Sequence, residues 1–122
     1  MSAQTFSTGD AARIAGIEPR KLANLLDRQI IPAPKLGQGI PRQFRPDEIV
    51  RIALVDRLTR LGLKPTSAAA IADQFHGAHG LLVVDPDGGA SLYEHEQIDV
   101  PVAITIVDLD GLRREIERRI AA

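Results

Sequence analysis

The stretch Ser7-Thr-Gly-Asp-Ala-Ala-Arg-Ile-Ala-Gly-Ile-Glu-Pro-Arg-Lys-Leu-Ala-Asn-Leu-Leu-Asp-Arg28 decides the fold. Ser7 suits a helix N-cap, and Asp10 three residues on makes a weak capping box. Ala11, Ala12, Ile14 and Ala15 form a short helix of small residues, and Gly16 stops it. Pro19 suits the first turn of a second helix, predicted over about 19–29. Leu22, Leu25 and Leu26 recur at helical spacing and mark its buried face. Arg20, Lys21, Asn24, Asp27 and Arg28 fall on its other face. Two short helices joined by a three- or four-residue turn containing glycine make a helix-turn-helix.

The next segment, Ile31-Pro-Ala-Pro-Lys-Leu-Gly-Gln-Gly-Ile-Pro-Arg-Gln-Phe-Arg45, holds three prolines and two glycines and is not helical. Two extended pieces around Leu36-Gly37-Gln38-Gly39 predict a small β-hairpin, a wing. Pro46-Asp-Glu48 opens a third helix with acids at its positive end. Ile49, Ile52, Ala53, Leu58 and Leu61 give that helix its apolar face. Pro65 starts a fourth, through about Phe75, and Gly77 to Gly80 with two histidines reads as a linker. Beyond it, Leu81–Val84, the turn Asp85-Pro-Asp-Gly-Gly89 and Ala90–Tyr93 read as a hairpin. Val100 to Val107 is strand-like, and Asp108 or Asp110 caps a last helix over 110–121.

The fold class is therefore α+β. Four short helices with a hairpin wing precede a small three-stranded sheet and a C-terminal helix. The expected divisions are a winged helix-turn-helix unit over 1–76, a linker over 77–80 and a small unit over 81–122. Some 40 residues are marginal as an independent domain, so the last unit must lean on the first or on a second copy of the chain.

Composition narrows the function classes. The chain has 122 residues and no cysteine, which removes disulfide frameworks, thiolate metal sites and thiol catalysis. No apolar run approaches the roughly 20 residues needed to span a bilayer. The start lacks the basic and apolar regions of a signal peptide, so a cytoplasmic, nucleoid-associated protein is the expectation. The net charge of −1 conceals an asymmetry. Residues 1–80 carry eleven Lys/Arg against seven Asp/Glu, and residues 81–122 four against nine. A basic first part suits a polyanion, and an acidic second part is expected to stay off it.

Four stretches carry a family resemblance: Ser7 to Ile17, Pro19-Arg-Lys-Leu22, Arg42-Gln-Phe-Arg-Pro-Asp-Glu-Ile49 and Leu58-Thr-Arg-Leu-Gly-Leu63. In this order, within residues 5–75, they resemble the DNA-binding domain of the MerR family. The resemblance implies a winged helix-turn-helix with its second helix in the major groove and its wing along the backbone. The residues suit that role. Arg20 can fork onto a guanine edge or a phosphate, Lys21 offers a point charge, and Asn24 suits bidentate reading of adenine. Arg42 matches the family's wing arginine, and Lys35 and Arg45 flank it. With Arg28 these complete the expected DNA contacts. Phe44 occupies the wing aromatic and is expected in the core.

The chain also departs from the family. Where the family usually shows Arg-Tyr-Tyr, this sequence has Ala23-Asn24-Leu25, so a phosphate-contacting arginine and tyrosine are missing. The family's regulators continue into a long dimerising helix, whereas here Gly77-Ala-His-Gly80 intervenes and strands follow. Its metal sensors use cysteines, which are lacking here. Dimerisation is therefore assigned to the C-terminal unit, through Val102, Ile104, Ile106, Leu112 and Ile116.

His76 and His79 have a metal-compatible spacing but no obvious third ligand, and read as linker residues. Asp85-Pro-Asp87 reads as a turn. No Ser/His/Asp set, phosphate-cradling glycine loop or pair of catalytic carboxylates stands out. The reading is thus a non-enzyme without cofactor or metal, and with no evident small-molecule ligand or membrane partner. Its function is sequence-specific binding of double-stranded DNA as a small homodimeric transcription regulator. The alternatives are an excisionase-like architectural factor of a phage or mobile element, or a protein-interaction adaptor that has lost DNA binding. Leu22→Asp or Ile52→Asp is expected to unfold the chain by burying an unpaired charge, seen as loss of the helical circular dichroism signal.

Overall fold

Helix α1 (Thr8–Ala15) begins where Ser7, in extended backbone, accepts the Asp10 N–H with its Oγ at 3.2 Å. It closes in a Schellman motif: Gly16 turns left-handed (φ 77°) and the Ile17 N–H reaches the Ala12 carbonyl at 3.0 Å. α2 (Pro19–Asp27) follows at once, buries Leu22, Leu25 and Leu26, and completes the helix-turn-helix. It ends short of residue 29 because Gln29 itself is left-handed (φ 58°), with the Ile30 N–H returned to Leu25 at 2.9 Å. No glycine marks that stop in the sequence. These details come from a computed structural model, which describes residues 4–32, 42–85, 89–93 and 105–122.

Most of the expected wing, with Lys35, lies outside the described residues. Its return segment is seen at Phe44, which exchanges two 2.8 Å hydrogen bonds with Phe6 in an antiparallel bridge. Phe44 is 1% exposed and belongs to the core. α3 (Pro46–Arg60) starts with the Glu48 carboxylate accepting the Arg45 N–H at 3.0 Å. Leu61, expected on its apolar face, is instead 54% exposed, because it stands past the last helical turn. α4 (Pro65–Gln74) packs against α3 through Ala68, Ile71 and Ala72.

Three strands follow: β1 (Leu81–Val84), β2 (Ala90–Tyr93) and β3 (Thr105–Asp108). They form one antiparallel sheet in the order β2-β1-β3. Leu82 pairs with Leu92 on one side and Val107 on the other. The last helix, α5 (Leu109–Ala121), is capped by Asp108, which accepts the Gly111 N–H at 3.0 Å.

Among the described residues, the C-terminal unit shares its main core with the helices before it. Leu82, Val84, Leu109, Leu112 and Ile116 join the same buried cluster as Leu22, Ile52 and Leu58. Forty residues cannot bury enough apolar surface alone, so α5 packs over α3 and α1, and the sheet packs on α5. The stretch 77–80 is tied down accordingly. Arg113 donates to the Ala78 carbonyl at 2.9 Å, and the Gly80 N–H donates to Asp110 at 3.0 Å. Gly80 is buried with φ 95°, and a Cβ there would stand 2.6 Å from the Tyr93 carbonyl oxygen, so the position requires glycine.

Asp110 anchors this joint. Its Oδ1 lies 2.8 Å from His79 Nδ1. The His79 contact first, then the Gly80 N–H, hold its carboxyl below the ordinary value, against the opposing effect of burial. A carboxyl depressed in the folded state contributes stability above its unfolded value and loses that contribution as pH falls through the folded one. Asp110→Asn is therefore expected to flatten the loss of stability as pH falls below about 4, read from urea midpoints against pH.

Candidate nucleic-acid interface

The exposed face of α2 is built by its buried one. With Leu22, Leu25 and Leu26 turned inward, Arg20, Asn24 and Arg28 line a solvent-facing stripe at i, i+4 spacing. The first turn of α2 holds no acid, although the positive end of a helix favours one. It carries Arg20 and Lys21 instead.

These two cations are held very differently. Lys21 Nζ donates to Asp56 Oδ1 at 2.6 Å and to Thr59 Oγ1 at 2.8 Å. Thr59 passes its own hydroxyl to the Asp56 carbonyl at 2.9 Å. Asp56 is 1% exposed and sits in the C-terminal half of α3. The Arg60 guanidinium stands 2.9 Å from its other oxygen, off the direction of a hydrogen bond, and so supplies charge alone. Arg60 also donates to the Gly16 carbonyl at 2.8 Å. One buried carboxylate thereby joins α2 to α3, and through Arg60 joins both to the turn after α1. Sequence reasoning missed Asp56. Its signal was available: positions 49, 52, 53 and 56 follow helical spacing, and an acid at a core position needs a buried cation.

The remaining expected contacts divide by the same test. Arg45 stands 3.5 Å from Asp47 and 3.4 Å from Glu48, so it is engaged at the start of α3. Arg20, Arg28 and Arg42 make no ion pair with a described residue. Arg20, Asn24 and Arg28 are exposed, and Arg42 is half-buried beside the Phe6–Phe44 bridge. The structure thus brings Arg20, Asn24 and Arg28 together on one helix and leaves them available to a ligand.

The residues assigned to dimerisation do not form one surface. Val102 and Ile104 lie outside the described residues. Ile106, on edge strand β3, is 43% exposed. Leu112 and Ile116 are buried within the chain's own core. The two histidines face different carboxylates. His76 Nε2 is 3.4 Å from Asp47, whereas His79 contacts Asp110. Among the described residues no group of three or more His, Asp or Glu side chains is placed to hold a metal.

A helix-turn-helix whose second helix exposes Arg20, Asn24 and Arg28 has the form of a DNA-binding regulator's reading head. The model of the MerR HTH family regulatory protein matches residues 6–74. That is more than half of the chain, and the protein belongs to this family of regulators. No curated protein matches the chain. Among the described residues, no helix is long and apolar enough to cross a membrane.

The two cations of the first turn separate cleanly by experiment. Lys21→Met, which leaves Asp56 buried with Arg60 alone, is expected to cost toward the lower end of about 3–5 kcal/mol in urea unfolding. Arg20→Ala is expected to stay within about 0.5 kcal/mol of wild type. If Lys21→Met is equally silent, the tether assigned to Lys21 is wrong.

Proposed function

We propose that the chain is a sequence-specific regulator that reads double-stranded DNA with α2 in the major groove. The observation that carries this reading is the stripe of Arg20, Asn24 and Arg28, exposed and without ion pairs to described residues. A recognition helix presents its N-terminal residues to base edges, and Arg20 stands in the first turn. An unpaired cation at the positive end of a helix is locally unfavourable, and a phosphate or a guanine edge would relieve it. Arg28 at the other end of α2 and Arg42 near the wing suit phosphates on either side. Lys21, held by Asp56 and Thr59, positions α2 rather than contacting the duplex. Arg45 takes a lesser part, because Asp47 and Glu48 already engage it.

The regulator acts as a homodimer through the edge of β3 in this reading. Among the described strands β3 lies at one end of the sheet, and Ile106 on it is exposed. A strand at a sheet edge can serve as a template for a second chain. A protein that reads chromosomal DNA in this way works in the cytoplasm, at the nucleoid.

Selection from random duplex DNA tests the function directly. An inverted repeat with half-sites about one helical turn apart is the expected outcome. Direct repeats would favour the architectural alternative, and no enrichment would reject DNA reading. On the selected site, Arg20→Ala is expected to cost about 1–3 kcal/mol of binding and to relax preference at one base position. Arg28→Ala and Arg42→Ala should weaken binding to all sequences alike and lower the slope of log K against log salt by about one each. Equal binding by all three variants would overturn the interface.

A further inference from the structure

A cleft of about 260 Å³ opens between α3, the end of α4 and α5. Its floor is Leu54, Ala72, Leu109 and Ile116, all buried, and its sides are Val50 and Phe75, which are partly exposed. Most of the charged groups around its mouth are already engaged. His76 stands 3.4 Å from Asp47, and Arg51 pairs with Asp73. Arg113 is held by the Ala78 carbonyl at 2.9 Å and by Asp110 at 3.4 Å. Glu117 lies at the outer rim, exposed to water.

We propose that this cleft is a binding site for a neutral, mainly apolar small molecule, an aromatic of roughly two fused rings. The matched charges set the ligand's class. An ionic ligand would have to break an existing pair, or carry its charge onto an apolar floor where nothing compensates it, because Glu117 stands in water at the rim and not over that floor. A neutral ring loses little hydration on entry and gains dispersion contacts on several sides. The size follows from the volume, since a dry apolar cavity of about 150 Å³ already accommodates benzene. The cleft lies where two parts of the chain meet, a common place for ligand sites. α3 and α4 come from the helix-turn-helix half, and α5 from the C-terminal unit.

An occupant touches both halves and stabilises their contact by linkage. α5 also bears on the helix-turn-helix directly. Arg119 donates to the Ile14 carbonyl of α1 at 2.9 Å, and Glu115 pairs with Arg57 of α3 at 3.3 Å. A ligand that reseats α5 would therefore alter the setting of α1 and α2. This last consequence rests on the DNA-binding reading; the ligand site itself does not.

The test is a titration of the full chain with N-phenyl-1-naphthylamine, a neutral naphthalene fluorophore. The expected result is a saturable fluorescence rise at one dye per chain and a raised unfolding temperature. Methyl resonances of Val50, Leu54 and Ile116 should shift. Val50→Phe fills the cleft and should weaken the dye about tenfold or more, which is 1.4 kcal/mol or more. The anionic dye 1-anilinonaphthalene-8-sulfonate should bind more weakly at the same methyls. Absence of a saturable rise, or shifts centred on the exposed Leu92 and Ile106, would overturn the site. Tighter binding of the anionic dye to the cleft would overturn the neutral class. Should Val50→Phe fail to fold, the methyl map of the wild-type chain decides alone. Adding the selected duplex separates the two readings. Dye binding without DNA binding rejects only the regulator, and DNA binding without dye binding rejects only the ligand site.

Discussion

The buried carboxylate of Asp56 is the interaction on which the helix-turn-helix depends. A charge removed from water is tolerable only when its partners arrive in a fixed geometry. Here they come from outside its own turn of helix: Lys21 from α2, and Arg60, which also reaches the carbonyl after α1. The apolar contacts of Leu22, Leu25 and Leu26 seat α2 on the core and set which face it exposes. The hydrogen bond from Lys21 adds a polar requirement for the same rotation, because an error would leave Asp56 without its donor. The same rotation sets where Arg20, Asn24 and Arg28 point, so buried packing and a buried polar contact together govern the geometry of an exposed surface.

The C-terminal unit extends this logic to α1. A short helix ends with carbonyls that lack intrahelical partners. In α1 the Schellman closure at Gly16 satisfies some of them, and arginine side chains from elsewhere take others. Arg119 of α5 reaches Ile14, and Arg60 of α3 reaches Gly16. Cations also suit the negative end of the helix. α5 thus braces the first helix of the motif from 105 residues away in the chain. Where the sequence departs from the long dimerising helix of the family's regulators, this protein folds a sheet and helix back onto its own core. Leu112 and Ile116 illustrate the consequence. Their spacing marks a buried face correctly, but the surface they cover belongs to the same molecule.

The acidic balance of residues 81–122 needs a similar refinement. Arg113 and Arg119 of α5 both work inside the fold, on Ala78 and Ile14. Formal charge counted along a sequence treats such residues as surface, whereas much of their charge is neutralised by carbonyls and carboxylates nearby. The basic half behaves alike. Lys21, Arg51, Arg57 and Arg60 all belong to internal pairs. What reaches a polyanion is the remainder, and only packing decides which residues remain.

The sequence by itself determined the local elements. Ser7, Pro19, Pro46 and Pro65 mark helix starts, Gly16 marks a stop, and β-branched runs mark strands, because caps and turns are short-range chemistry; for the last helix the choice between Asp108 and Asp110 as cap fell to the structure. The helix-turn-helix and its family followed from the order of those signals, as did the core positions of Leu22, Ile52 and Phe44. The left-handed stop at Gln29 escaped detection, since no residue type announces it. Tertiary structure alone decided the rest. It fused the C-terminal unit with the first core, sorted Lys21 and Arg45 from Arg20, Arg28 and Arg42, and opened the cleft beside α5. Each of these depends on groups distant in sequence meeting at hydrogen-bonding or van der Waals distance. Periodicity reports which face of an element is buried, but not what buries it.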